Sequence, residues 1–223
     1  STWAWIFASA ALHTGYKLFL VRAYTAGDLG QVYPLARGSA PLLSSLIALF
    51  FLHETLGPFV WAGVVTLCAG IALMSFKGGS VGALDAKAAF WALGTSLFIT
   101  FYTIVDAVGA RGAASAVTYI VWMFVFDGLA IALVYAAVRR GRVVAVAREL
   151  PFGVLTGLLS LGSYWIIIWA MTKSPIGAVA ALREVSILFA LGISVFFLRE
   201  RASPWRIASA ATILAGVALM RIG

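Results

Sequence analysis

The chain has 223 residues, of which 63% are hydrophobic and only 11% charged, with a mean hydropathy of +1.03. Soluble globular domains carry about 25% charged residues, so this composition excludes a water-soluble fold. The net charge of +8 is read against that background as a membrane-topology signal and not as the footprint of a nucleic-acid binder.

Apolar runs of roughly 18–25 residues, each able to cross about 30 Å of hydrocarbon, fall at 3–22, 30–52, 58–76, 86–108, 117–138, 151–172, 176–198 and 204–221. They predict eight transmembrane helices in an all-α, multi-pass membrane protein. The first run, "STWAWIFASAALHTGYKLFL", passes straight into a span and does not read as a cleavable signal peptide; the chain starts at Ser, which suggests that a beginning is missing. With the loops placed on alternating sides, one side holds Arg22, Lys77, Lys87, Arg139, Arg140, Arg142, Arg148, Arg199, Arg201 and Arg206, and the other only Arg111, Lys173 and Arg221. The cytoplasmic excess of Lys and Arg puts both ends of this chain outside the cytoplasm and the protein in the cytoplasmic membrane.

An ionisable group at a helix centre costs about 2.5–3.5 kcal/mol on insertion scales, so each one inside a span asks for a partner, a wet cavity or an interface. In the first run His13, Tyr16 and Lys17 share one face at i, i+3 and i+4. Together they offer donors to an anionic group, although Lys17 can also snorkel to the interface. In the second, "YPLARGSAP" sets Arg37 between Pro34 and Pro41, with Tyr33 beside them. Proline removes a backbone donor and clashes one turn back, so a helix broken on both sides of Arg37 is expected. Arg37 then either binds solute or pairs with Asp106 or Asp127 as a strut. Glu54, ahead of Pro58, reads as a structural corner at a helix start, where the dipole favours a carboxylate. The single cysteine, Cys68, excludes an intramolecular disulfide.

In the fourth run Tyr102 and Asp106 stand at i and i+4, and the fifth carries Asp127 near its middle. The sixth places Ser160, Ser163 and Tyr164 before Trp165, a polar set suited to lining a cavity. In the seventh, Arg183 and Glu184 are adjacent, hence about 100° apart on a helix, and are not expected to face one neighbour together. Burial would raise the pKa of Glu184, which makes it a proton-coupling candidate; an ion pair with Lys17 or an arginine is the other reading. Glu200 and Pro204 repeat the Glu54–Pro58 corner, with Ser203 as N-cap.

That repetition is general. Residues 35–74 laid on 181–220 without a gap agree at fifteen of forty positions, including Arg37 with Arg183, Glu54 with Glu200, Pro58 with Pro204, and "AGIALM" with "AGVALM". In this register the helices at 86–108 and 117–138 have no counterpart in the first half. The expected whole is therefore a five-plus-five protein whose first two helices precede this chain. Five is odd, so the halves cross the bilayer in opposite senses, the inverted-repeat plan of many carriers, with binding near the midplane where the halves meet.

The stretches "YPLARGSAPLLSSLIALFFLHETLGPFVWAGVVTLCAGIALM" and "AALREVSILFALGISVFFLRERASPWRIASAATILAGVALM" resemble the two copies of the EamA domain of the drug/metabolite transporter superfamily. The resemblance implies a ten-helix fold, with 1–77 as the last three helices of the first repeat and 85–223 as the second. It implies a secondary transporter of a small organic metabolite. Family members commonly keep their termini inside, against the charge bias read here.

No HExxH, Cys–His pairing or G-x-S-x-G motif occurs, and the two histidines are far apart. An enzyme, a metal site and a cofactor are therefore not expected. Lys17, Arg37 and Arg183 balance Asp106, Asp127 and Glu184 within the spans. A balanced but cation-bearing site lined by Tyr and Trp suits an amino-acid-like or other carboxylate-bearing solute. The alternative is a proton-coupled exporter of cationic or drug-like compounds acting through Asp127 or Glu184. The expected partners are a small-molecule substrate and the lipid bilayer, and the small-residue stripes of the final helices allow a homodimer face.

Overall fold

A computed structural model describes residues 2–27, 29–74, 85–139, 144–196, 199 and 203–222; Glu200 lies outside them. Every element among these residues is helical: α1 (Thr2–Ala26), α2 (Leu29–Gly38), α3 (Ala40–Leu52), α4 (Pro58–Leu73), α5 (Ala86–Arg111), α6 (Ala116–Arg139), α7 (Val144–Met171), α8 (Ile176–Arg183), α9 (Ser186–Phe196) and α10 (Pro204–Ile222). Among the described residues, seven stretches are long and apolar enough to cross a membrane, and the sixteen-residue α4 is a shorter apolar helix. Large apolar side chains point outward, among them Phe51, Phe152, Phe189 and Phe196, the last 82% exposed. Such an outer surface is at home only in hydrocarbon, and the protein is an all-α, multi-pass membrane protein.

Two predicted spans are each broken into half-helices. The run at 30–52 becomes α2 and α3, and the run at 176–198 becomes α8 and α9. The first break falls once, at Ser39, and not on both sides of Arg37: Pro34 sits inside α2, and Pro41 lies in the first turn of α3. Proline is tolerated there because the first N–H groups of a helix have no intrahelical acceptor. Ser39 donates its hydroxyl to the Leu35 carbonyl at 2.8 Å and lies 2.7 Å from the Ser96 hydroxyl. The interruption thus keeps its polar groups bonded. The second break, at Glu184–Val185, is its counterpart under the same 146-residue shift.

By contact the chain divides into two units, Ser1–Thr14 with Val105–Lys173, and Gly15–Ile104 with Ser174–Gly223. In the first, Ile6, Ala110, Tyr119, Ile120, Met123 and Ile168 form the core. In the second, Val64, Leu67 and Ile71 of α4 pack with Ala181, Ile187 and Ile213.

Inside the second unit the repeat mates α4 and α10 lie against each other. A methyl group on Gly63 would stand 2.6 Å from the Gly216 carbonyl oxygen, and one on Gly70 would stand 3.1 Å from that of Ser209. Contacts that advance along α4 while retreating along α10 mean that the two helices run antiparallel. Under the 146-residue shift Gly63 corresponds to Ser209 and Gly70 to Gly216, so the two contacts interchange. Small residues of both final helices thus line a contact within the chain.

The corners agree as well. His53 and Arg199 both adopt φ 55°, and they are repeat mates. Left-handed backbone closes α3, with the Glu54 N–H bonded to the Ala48 carbonyl at 3.0 Å.

Gly70→Val is expected to lower the thermal unfolding temperature of the purified protein in detergent, by a cost of about 1–3 kcal/mol, because backbone cannot move aside as a side chain can. Gly128→Ala, with nothing within 4 Å, is the control, expected to be neutral or slightly stabilising.

Candidate functional site

The second unit gathers a charged cluster at its two helix breaks. Arg37 stands in the last turn of α2 and Arg183 in the last turn of α8. The C-terminal end of a helix carries unbonded carbonyls and the negative pole of the dipole, so a cation is favoured there. Both arginines converge on one carboxylate. Arg37 donates Nε–H to Glu184 Oε2 at 2.9 Å, and Arg183 donates Nε–H to Oε1 of the same group at 3.1 Å. Glu184 is fully buried, with Arg183 8% and Arg37 18% exposed.

The adjacency of Arg183 and Glu184 does not keep them apart, contrary to the helical spacing argument. Helix α8 ends at Arg183, and Glu184 caps it on a turn, so the 100° rule no longer applies between them. Arg37 pairs with Glu184 and not with Asp106 or Asp127, and Glu184 meets an arginine pair rather than Lys17.

Tyrosines wall this cluster. The Arg37 guanidinium lies 5.7 Å from the centre of the Tyr33 ring, and that of Arg183 lies 6.0 Å from Tyr102. Both distances suit a cation over an aromatic face. Tyr16 meets Tyr102 edge to face at 5.6 Å. Thr103 receives Arg183 Nη1–H at 3.4 Å. The two cations share the Glu184 carboxylate in a medium where charges interact far more strongly than in water.

A second cluster lies in the first unit. Asp106 of α5, fully buried, has His13 Nε2 3.1 Å from Oδ2, accepts from Tyr119 at 3.1 Å, and accepts from Tyr164 at 2.6 Å. The His13 and Tyr164 rings meet edge to face at 5.6 Å. His13 therefore faces a carboxylate, and the single donor face expected of His13, Tyr16 and Lys17 is divided, Tyr16 joining the arginine cluster. Asp106 likewise takes its partners from α1, α6 and α7.

Of the remaining predicted residues, Trp165 packs on the core of the first unit, and Lys17 and Asp127 are half-buried on α1 and α6. Ser160 and Ser163 are exposed, and Ser163 returns its hydroxyl to the Ser160 carbonyl. Glu54 is a corner, but of a different helix start from the one foreseen. It accepts the Ile176 N–H at 2.8 Å, at the first turn of α8 and 122 residues along the chain. Pro58 and Pro204 open α4 and α10. The Ser203 hydroxyl accepts the Arg206 N–H at 3.3 Å, as an N-cap should. Tyr119 and Thr103 escaped the sequence reading. Tyr119 is completely buried, and it is that burial, not a sequence pattern, which demands a partner for its hydroxyl.

The sequence profile of the EamA-like transporter family matches residues 86–222. The chain belongs to this family. It is accordingly a membrane transporter of the drug/metabolite transporter superfamily, a group of carriers and not of enzymes. A protein of known crystal structure is similar in fold, with a TM-score of 0.72 at 16% identity over 98% of this chain and 77% of that one. No curated protein matches the sequence.

Tyr164→Phe is expected to cost about 1.5–3 kcal/mol of stability, the range for a hydrogen bond to a charged group. It should exceed Tyr119→Phe, whose bond is longer. Thermal unfolding of the two variants in one detergent checks the order.

Proposed function

We propose that this EamA-family member is a secondary carrier of small organic solutes that bear a carboxylate, amino-acid-like metabolites among them. In this reading it works in the cytoplasmic membrane by alternating access of a five-plus-five inverted repeat, of which 1–77 belongs to the first copy and 85–223 to the second. Arg37 and Arg183 hold the solute's anionic group, while Tyr16, Tyr33 and Tyr102 stack on its apolar part.

One observation carries the reading: two arginines related by the repeat, each ending a half-helix, converge on a single carboxylate. The antiparallel packing of α4 on α10 supports the inverted plan. Arginine's planar fork suits a carboxylate better than a point charge would, and broken helices at depth are how carriers of this plan bind solutes.

The test is uptake by proteoliposomes holding the full-length protein, with labelled carboxylates measured beside their amides and the corresponding amines. Carboxylates are expected to be carried and the amides not. Arg37→Gln and Arg183→Gln should each lower carboxylate kcat/KM by about thirtyfold, near 2 kcal/mol, the lower range for truncating one partner of a buried charge pair. Carboxylate uptake indifferent to both arginines, with export of cations abolished by Asp127→Asn, would overturn the reading in favour of a cation exporter.

A further inference from the structure

Resting on the anion-binding reading above, we infer that Glu184 is a tethered stand-in for the solute's carboxylate: it occupies Arg37 and Arg183 in the empty carrier and is displaced from them when solute binds. Three features lead there.

The first is the mode of contact. The carboxylate bridges two guanidinium groups, one oxygen to each, at 2.9 and 3.1 Å. A free carboxylate held by the same two arginines would be bridged in this way.

The second is the asymmetry. The repeat supplies an arginine in each copy, but the position matching Glu184 in the first copy is Gly38. Had the duplication built two structural ion pairs, each copy would carry its own acid. Here both cations share one.

The third is placement. Glu184 is no part of a helix; it sits on the turn between α8 and α9, its N–H turned back on the Ala181 and Leu182 carbonyls. A rearrangement of this break moves the carboxylate relative to Arg37, which is anchored on α2. Leaving two arginines without any anion in hydrocarbon is costly. A carrier that supplies its own anion can therefore change sides empty. A solute carboxylate must compete with Glu184 for the arginines.

The competition is measurable with generic probes, sodium acetate and sodium benzoate, against sodium chloride at matched ionic strength. The readout is the thermal stabilisation of the full-length protein in detergent as each probe is titrated. E184Q removes the internal competitor and keeps the side-chain volume. It should bind acetate and benzoate about tenfold more tightly than the unaltered protein, a modest value among couplings between close charge pairs. Its stability in chloride should fall and be restored by either carboxylate. The doubly altered R37Q/E184Q should lose the gain. Where E184Q does not survive purification, E184D draws the carboxylate back by one methylene and should show the same tightening in smaller measure.

Probe affinity in E184Q or E184D that is unchanged or weaker overturns the inference, as does a gain that persists in R37Q/E184Q. If carboxylate uptake depends on the arginines while E184Q gains nothing, the stand-in fails and the anion-binding reading stands. If uptake ignores the arginines and no form binds the probes, both fall.

Discussion

Two guanidinium groups and one carboxylate, inside a structure surrounded by hydrocarbon, set the terms for much of this protein. A lone arginine in that setting is opposed by several kcal/mol, and a pair of them by like-charge repulsion in addition. Glu184 removes most of that opposition, but only because α8 stops at Arg183 and frees the next residue to turn. The ionic cluster and the helix break are thus one feature. Without the break the acid would lie on another face of α8; without the acid, two half-helix ends would each hold a bare cation.

The surrounding packing keeps those ends in place. Helix α8 begins where Glu54 accepts the Ile176 N–H, so the corner after α3 fixes the start of the half-helix that ends in Arg183. Gly177, in the first turn of α8, packs directly on Ser45 of α3. Helix α4 meets α10 through Gly63 and Gly70 on its own side and Ser209 and Gly216 on the other, with backbones too close for larger residues. In a bilayer there is no hydrophobic drive between helices, so close approach of backbones carries more of the association. Glu54 and the glycines that mark the repeat in the sequence are therefore supports, and the arginines are what they support.

Much of this was legible in the residues. Composition and span length settle the class, because crossing hydrocarbon leaves few other ways to satisfy a backbone. The 146-residue shift survived in Arg, Glu and Pro, whose roles tolerate little change, and it reappears as matched φ values at His53 and Arg199. The partners of the buried charges were not legible. Whether Arg37 meets Asp106, Asp127 or Glu184 depends on how separate helices are rotated, and no local pattern encodes that. The position of the first break was also hidden, since "YPLARGSAP" contains two prolines and only one interruption. Pro41 was compatible with a helix start, and Pro34 was absorbed within α2.

The two buried carboxylates show how differently one problem can be met. Glu184 is held by two permanent cations, one from each copy of the repeat. Asp106 is held by two phenol hydroxyls and an imidazole, donors that satisfy oxygen lone pairs without requiring a counter-charge. The Asp106 cluster is gathered from three helices of one unit, α1, α6 and α7. Fixed cations, by contrast, call for an anion, and the cluster that demands one is the one to which each copy of the repeat contributes an arginine.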